Sequence, residues 1–219
     1  YAVPEDRLDV VHNGVPRVFL EYDHRPSAVE NGPLVFFGRF AEHKGVDVLI
    51  DALGHLGDDA PPAHIIGRGV LEDDLRDQVQ RVGLSDRVTF RPWMTHHELG
   101  ETLAGARMAV LPSRQENFSL AILSSLAVGT PTISTSIGGT PEIIDDGATG
   151  LLVPSDDANS LAEAIARLQS HPDDARRIGA AGKKHVRENL TWGAAAEGFE
   201  AIFEAIVAER GLIRHSGTE

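Results

Sequence analysis

Two cations, Arg39 and Lys44, stand in the segment Gly38-Arg39-Phe40-Ala41-Glu42-His43-Lys44-Gly45, between an apolar run and a helical pattern. Cations flanking a loop whose following helix offers free N–H groups can hold a phosphate or a diphosphate. Lys44 is poorly placed for stability, because a cation near a helix N-terminus opposes the macrodipole by ~0.3–1 kcal/mol. That cost argues for a use. The competing reading is a solvated loop whose lysine snorkels to water.

Three further loops carry residues of interest. Gly67-Arg68-Gly69 follows an apolar run and resembles the start of a dinucleotide-binding turn. Glu72 occupies the place of the third glycine, so a tight strand-to-helix turn is the better reading. In Pro112-Ser113-Arg114-Gln115-Glu116-Asn117-Phe118-Ser119, Glu116 is expected at a helix start. It would either complement the dipole there or grip vicinal hydroxyls of a sugar. In Gly138-Gly139-Thr140-Pro141-Glu142, Thr140 is the expected cap and Pro141 the first helical residue. The glycine pair is left over, free for close backbone approach to a ligand. His96-His97 before Glu98 lacks the helical spacing of metal ligands and reads as a helix entry. No Gly-x-Ser-x-Gly elbow, Walker loop or Asp-x-Asp pair is present.

These loops need a scaffold, and the chain supplies one. Candidate strands are Leu34–Phe37, Ala63–Ile66, Val88–Phe90, Met108–Leu111, Thr132–Ser134 and Leu151–Val153. They are short and apolar without alternation, as in a parallel sheet covered on both faces. Between them, Val46, Leu49, Ile50 and Leu53 form one stripe on a helix from about Lys44 to Leu56. Leu71, Leu75 and Val79 form another that stops near Gly83, and Leu120–Val128 is apolar or small all round, hence buried. The alternation predicts a doubly wound, Rossmann-like α/β sheet. Beyond His171 the chain is expected to turn helical to about Ile213, with an apolar stripe of Phe199, Ile202, Phe203, Ile206 and Val207. Residues 1–25 read as a linker arriving from an upstream element.

The 219 residues have 42% hydrophobic content, a net charge of −13 and no cysteine. Such a chain buries roughly 70% of its unfolded surface. The acidic balance argues against nucleic acid as a partner. The missing thiols exclude a disulfide framework, an iron–sulfur cluster and a cysteine nucleophile. No uncharged apolar run approaches the roughly 20 residues of a transmembrane segment. The first residue given is Tyr1, and no basic segment followed by an apolar run comes directly after it. A cytoplasmic location is expected, with any peripheral membrane contact made through a domain outside this chain.

Taken in order, the loops resemble a known family. The match runs from His12-Asn13-Gly14-Val15 through Gly38-Arg39 with Lys44-Gly45, Ser85-Asp86-Arg87-Val88, Leu111-Pro112-Ser113 and Gly129-Thr130-Pro131. It continues with Gly138-Gly139-Thr140-Pro141-Glu142, Asp146-Gly147 and Gly150-Leu151-Leu152-Val153-Pro154, and ends at Thr191-Trp192. This resembles the donor-binding half of the retaining family 4 glycosyltransferases, which have two facing Rossmann-like domains in the GT-B architecture. The resemblance implies a nucleotide-diphosphate sugar as donor substrate, no cofactor and no obligatory metal. Arg39 and Lys44 would hold the diphosphate beside Gly38. Glu116 would hold sugar hydroxyls, with backbone N–H groups of Asn117, Phe118, Ser119 and Leu120 alongside. The base would lie near Gly67 and the loop Arg91-Pro92-Trp93-Met94. Ser124 stands where the family usually has a second glutamate for the ribose. Residues 26–190 would be the donor domain, and 191–213 a helix crossing back to an N-terminal acceptor domain or partner chain.

Overall fold

The structure, a computed structural model, describes residues 8–209. Six apolar runs pair as one parallel sheet: β1 Leu34–Arg39, β2 Ala63–Arg68, β3 Val88–Arg91, β4 Met108–Leu111, β5 Thr132–Thr135 and β6 Leu151–Val153. Their order is β3-β2-β1-β4-β5-β6, the doubly wound arrangement expected from the alternation. The helices are α1 Ala28–Asn31, α2 Val46–Leu56, α3 Glu72–Arg81, α4 His96–Ala104, α5 Leu120–Val128, α6 Thr140–Ile143, α7 Ala158–Ser170, α8 Pro172–Asn189 and α9 Trp192–Glu209. Helix α2 packs with α3 and α7, whereas α5 packs with α4 and α8. Because both sheet faces are covered, Leu34–Phe37 of β1 and all of β4 are buried. Every residue of α5 from Ile122 to Val128 is buried too.

Three expectations gain detail or are corrected. First, β1 and β2 run on through Gly38-Arg39 and Gly67-Arg68, in register with each other. Strand pairing is a backbone property, so polar side chains at the carboxyl ends do not end it. Second, the helical region after His171 divides at Leu190-Thr191, at the point expected for the start of the last helix. Leu190 is buried and its carbonyl accepts from Val15 N–H at 2.9 Å, while the Thr191 hydroxyl caps α9 through Ala194 N–H at 3.1 Å. The part of that stretch after Glu209 lies outside the described residues. Third, the segment read as a linker is packed from Val15 onward. Val15 and Phe19 are each 1% exposed, and the 3-10 turn Arg17–Glu21 sits against α4 and α5. Residues 1–7 lie outside the described residues.

The stripe on α9 is real and largely uncovered in this chain: Phe199 and Phe203 stack with ring centroids 6.5 Å apart and stand exposed. Among the described residues no helix is long and apolar enough to cross a membrane.

Candidate functional site

The sheet order reverses between β1 and β4, which are neighbours although their following helices cover opposite faces. Loops leaving those two strands diverge and open a crevice at their carboxyl ends, where ligands of such folds bind. The loop after β1 makes a 3-10 turn, Glu42–Lys44, and closes on Gly45 at φ +64°, which starts α2. A side chain at Gly45 would meet the Pro112 carbonyl at 2.0 Å, so glycine lets the two loops touch. Across that contact the Lys44 ammonium donates to the Glu116 carboxylate at 2.8 Å, with 24% and 16% of the two side chains exposed.

Glu116 is therefore not at a helix start. It precedes α5, whose cap is Ser119, accepting from Ile122 N–H at 3.4 Å. Capping thus falls to a serine hydroxyl, and Glu116 is left to face Lys44. Among the described residues the N–H groups of Asn117, Phe118, Ser119 and Leu120 meet no protein acceptor. Four such donors beside a carboxylate at the opening of a nine-residue helix suit an anionic or hydroxyl-rich ligand.

Arg114 holds this arrangement, and nothing in the bare sequence marks it. Its guanidinium forks onto Asp47 at 2.8 and 2.6 Å, reaches the Glu42 carbonyl at 2.6 Å, and also meets Asp156. Its own N–H donates to the His43 carbonyl at 2.8 Å. The Asp47 bonds raise the Arg114 pKa, outweighing burial. For Asp47, burial pushes the carboxyl up, but the hydrogen bonds and charge of Arg114 prevail and hold it below its ordinary value. The loop carrying Lys44 is thereby tied to the loop carrying Glu116.

The glycine pair has a structural use rather than open space for a ligand. Gly138 has φ +47°, and a side chain on it would lie 1.8 Å from the Glu116 carbonyl. Gly139 N–H donates to the Asn117 carbonyl at 2.9 Å. The close approach is to the Glu116–Asn117 backbone. Thr140 is not the cap either: Gly139 is, and the fully buried Thr140 hydroxyl has no partner. On the other side of this loop, His12 bonds Glu142 at 2.6 Å and stacks on Phe118 at 4.7 Å.

The residues expected around the base and ribose fall in two cavities that share Trp93. One, of about 350 Å³, is lined by Gly38, Ile66, Trp93, Met94, Leu120 and Ser124, with Phe19 and Leu99. The other, of about 440 Å³, is lined by Gly67, Arg68, Arg91, Pro92 and Trp93. Ser124 is buried, and its hydroxyl donates to the Leu120 carbonyl at 2.7 Å. Arg39, exposed at the end of β1, lines a third cavity with Arg68 and Trp93. Arg91 Nη2 lies 3.4 Å from His64, whose pKa is lowered by burial and by that neighbouring charge.

Residues 23–185 match the family described as glycosyl transferases group 1. The chain belongs to that family. Among curated members it is 32% identical over 215 residues to the D-inositol 3-phosphate glycosyltransferase of Streptomyces bingchenggensis, an alignment covering 90% of this chain and 47% of that one. It is 30% identical over 229 residues to the alpha-maltose-1-phosphate synthase of Mycolicibacterium smegmatis, covering 94% and 59%. The chain thus spans about half the length of the curated relatives it matches. Among solved structures, the sucrose-phosphate synthase of Thermosynechococcus elongatus superposes with a TM-score of 0.79 at 29% identity, over 92% of this chain and 53% of that one. Anabaena Alr3699/HepE in complex with UDP gives 0.80 at 21%, over 94% and 58%, and shares the fold.

Proposed function

We propose that this chain is the donor-binding half of a retaining glycosyltransferase, taking a nucleoside diphosphate sugar. One observation carries the reading: Lys44, Glu116 and the four unpartnered N–H groups come together between the loops after β1 and β4, at the switch point of the sheet, and Arg39 ends β1. An ammonium has three donors, and one goes to Glu116, leaving two for phosphate oxygens. The Glu116 oxygen not bonded to Lys44 is free to accept a sugar hydroxyl. Arg39 and Lys44 would offset the charge that develops on the departing diphosphate, a preorganised effect that is usually the largest catalytic contribution. The UDP bound to the HepE relative and the enzyme names of the curated relatives support a nucleotide ligand. The acceptor site would belong to an N-terminal domain or a partner chain.

Addition of such a domain or partner chain tests turnover. The reading expects no transfer by the chain alone and transfer, with the anomeric configuration retained, once both halves are present. A second reading is a nucleotide-sugar-binding module that serves a partner without turnover of its own. Ser124 favours it, since its proton is already committed to the helix. Binding of a nucleotide sugar with no transfer in any reconstituted pair would select it.

A further inference from the structure

Arg68 stands at the carboxyl end of β2, in register with Arg39 at the end of β1. In-register residues on neighbouring parallel strands project to the same face, with strands about 4.8 Å apart. Both side chains are exposed, and both line one cavity of about 570 Å³ together with Gly69, Val70, Glu72 and Trp93. The one carboxylate in that lining, Glu72, is engaged by Arg76 at 2.7 Å. Among the described residues neither Arg39 nor Arg68 forms an ion pair. Two uncompensated guanidiniums side by side are notable in a chain of net charge −13. They repel each other until an anion lies between them.

The backbone around Arg68 fixes this geometry. A side chain at Gly67 would stand 1.9 Å from the Gly38 carbonyl, and one at Gly69 would stand 2.2 Å from the Phe40 carbonyl. Phe40 N–H donates to the Arg68 carbonyl at 3.0 Å. Both glycines are thus consumed by contact with the β1 loop, and Arg68 is clamped between them relative to Arg39. The helix beyond the turn repels anions, because its first turn carries Glu72, Asp73 and Asp74. An anion at Arg68 is therefore drawn to the Arg39 side, over the sheet end, and not to the start of α3. The same three carboxylates disfavour a dinucleotide's pyrophosphate at that helix.

We propose that Arg68 is a further phosphate-binding residue, forming with Arg39 a two-pronged clamp on one phosphoryl group. This rests on the donor-binding reading. The group comes either from the donor's diphosphate or from a sugar phosphate placed in the same cavity. Calorimetric titration of the chain, Arg68→Ala, Arg68→Lys, Arg39→Ala and the double alanine variant with UDP, glucose 1-phosphate and uridine tests it. Trp93 emission, isolated in a Trp192→Phe background, gives a second readout, since the chain has two tryptophans.

Arg68→Ala is expected to weaken phosphoryl binding at least about tenfold, with partial recovery in Arg68→Lys and no effect on uridine. The salt dependence of binding should weaken with it. The double variant should lose less than the product of the single losses, because both prongs grip one group. Loss confined to UDP assigns the clamp to the donor diphosphate, and loss confined to glucose 1-phosphate assigns it to a sugar phosphate. If the unaltered chain binds UDP and Arg68→Ala binds both phosphoryl ligands equally well, the clamp is overturned and the donor reading stands. If the unaltered chain binds neither phosphoryl ligand, both fall.

Discussion

Lys44→Ala should destabilise the free protein, although charge placement alone argues the reverse. Judged from sequence, a lysine near the start of a helix opposes the dipole, and removing it gains ~0.3–1 kcal/mol. In the structure that ammonium lies before the N-cap Gly45 and is bonded at 2.8 Å to Glu116, whose side chain is only 16% exposed. Its loss leaves a largely covered carboxylate without its donor. A hydrogen bond between charged groups contributes about 1.5–3 kcal/mol. Subtracting the relieved dipole repulsion leaves a net loss of about 0.5–2.7 kcal/mol. Urea denaturation of the unaltered chain, Lys44→Ala, Glu116→Gln and the double variant measures this at pH 7. The double variant should lose clearly less than the two single losses added, since they remove one shared contact. A Lys44→Ala variant at least as stable as the unaltered chain, with no coupling to Glu116, refutes the reasoning.

Other outcomes follow from the same geometry. Gly138→Ala, at φ +47° and with its new methyl 1.8 Å from the Glu116 carbonyl, should cost about 1–3 kcal/mol and weaken donor binding together; a neutral melting curve would show that the two loops can separate. Asp47 has a lowered pKa in the folded state, so its contribution with Arg114 is fully present above about pH 4 and is lost as pH falls through the lowered value. Asp47→Asn should therefore lower stability at pH 7 and flatten the acid side of the stability profile, and an unchanged acid side counts against the pair. Ser124→Glu places a carboxylate at the cavity of about 350 Å³ and should tighten ribonucleotide binding by roughly 1–3 kcal/mol over the 2′-deoxy form, at some expense to the free fold. If the unaltered chain already rejects the deoxynucleotide strongly, another group holds the ribose.

The strands were readable because both faces of this sheet are buried, so each leaves a short apolar run such as Leu34–Phe37. Their carboxyl ends were not, since Arg39 and Arg68 pair through backbone alone. The contact that fixes the break at Leu190-Thr191 was hidden for a related reason: its donor is Val15, a residue far away in the chain. For the candidate site, Arg39, Lys44 and Glu116 were singled out from loop position and family resemblance. The partnership of Lys44 with Glu116 was not, because it joins loops 72 residues apart. Arg114 was missed for that reason as well; its partners Asp47 and Asp156 lie on two other segments. Gly138 was noticed but misread, as its tight contact is with the Glu116 carbonyl and not with a ligand.

The central claim, that the loops after β1 and β4 bind a nucleoside diphosphate through its phosphates, is tested most directly by calorimetric titration. A panel of nucleoside diphosphates and the matching nucleosides is titrated into the unaltered chain and Arg39→Ala. The account predicts that at least one diphosphate binds far more tightly than its nucleoside. It also predicts that Arg39→Ala weakens the diphosphate by about 1.5–3 kcal/mol while leaving the nucleoside unchanged. Equal losses for diphosphate and nucleoside, or no binding by any member of the panel, would contradict it.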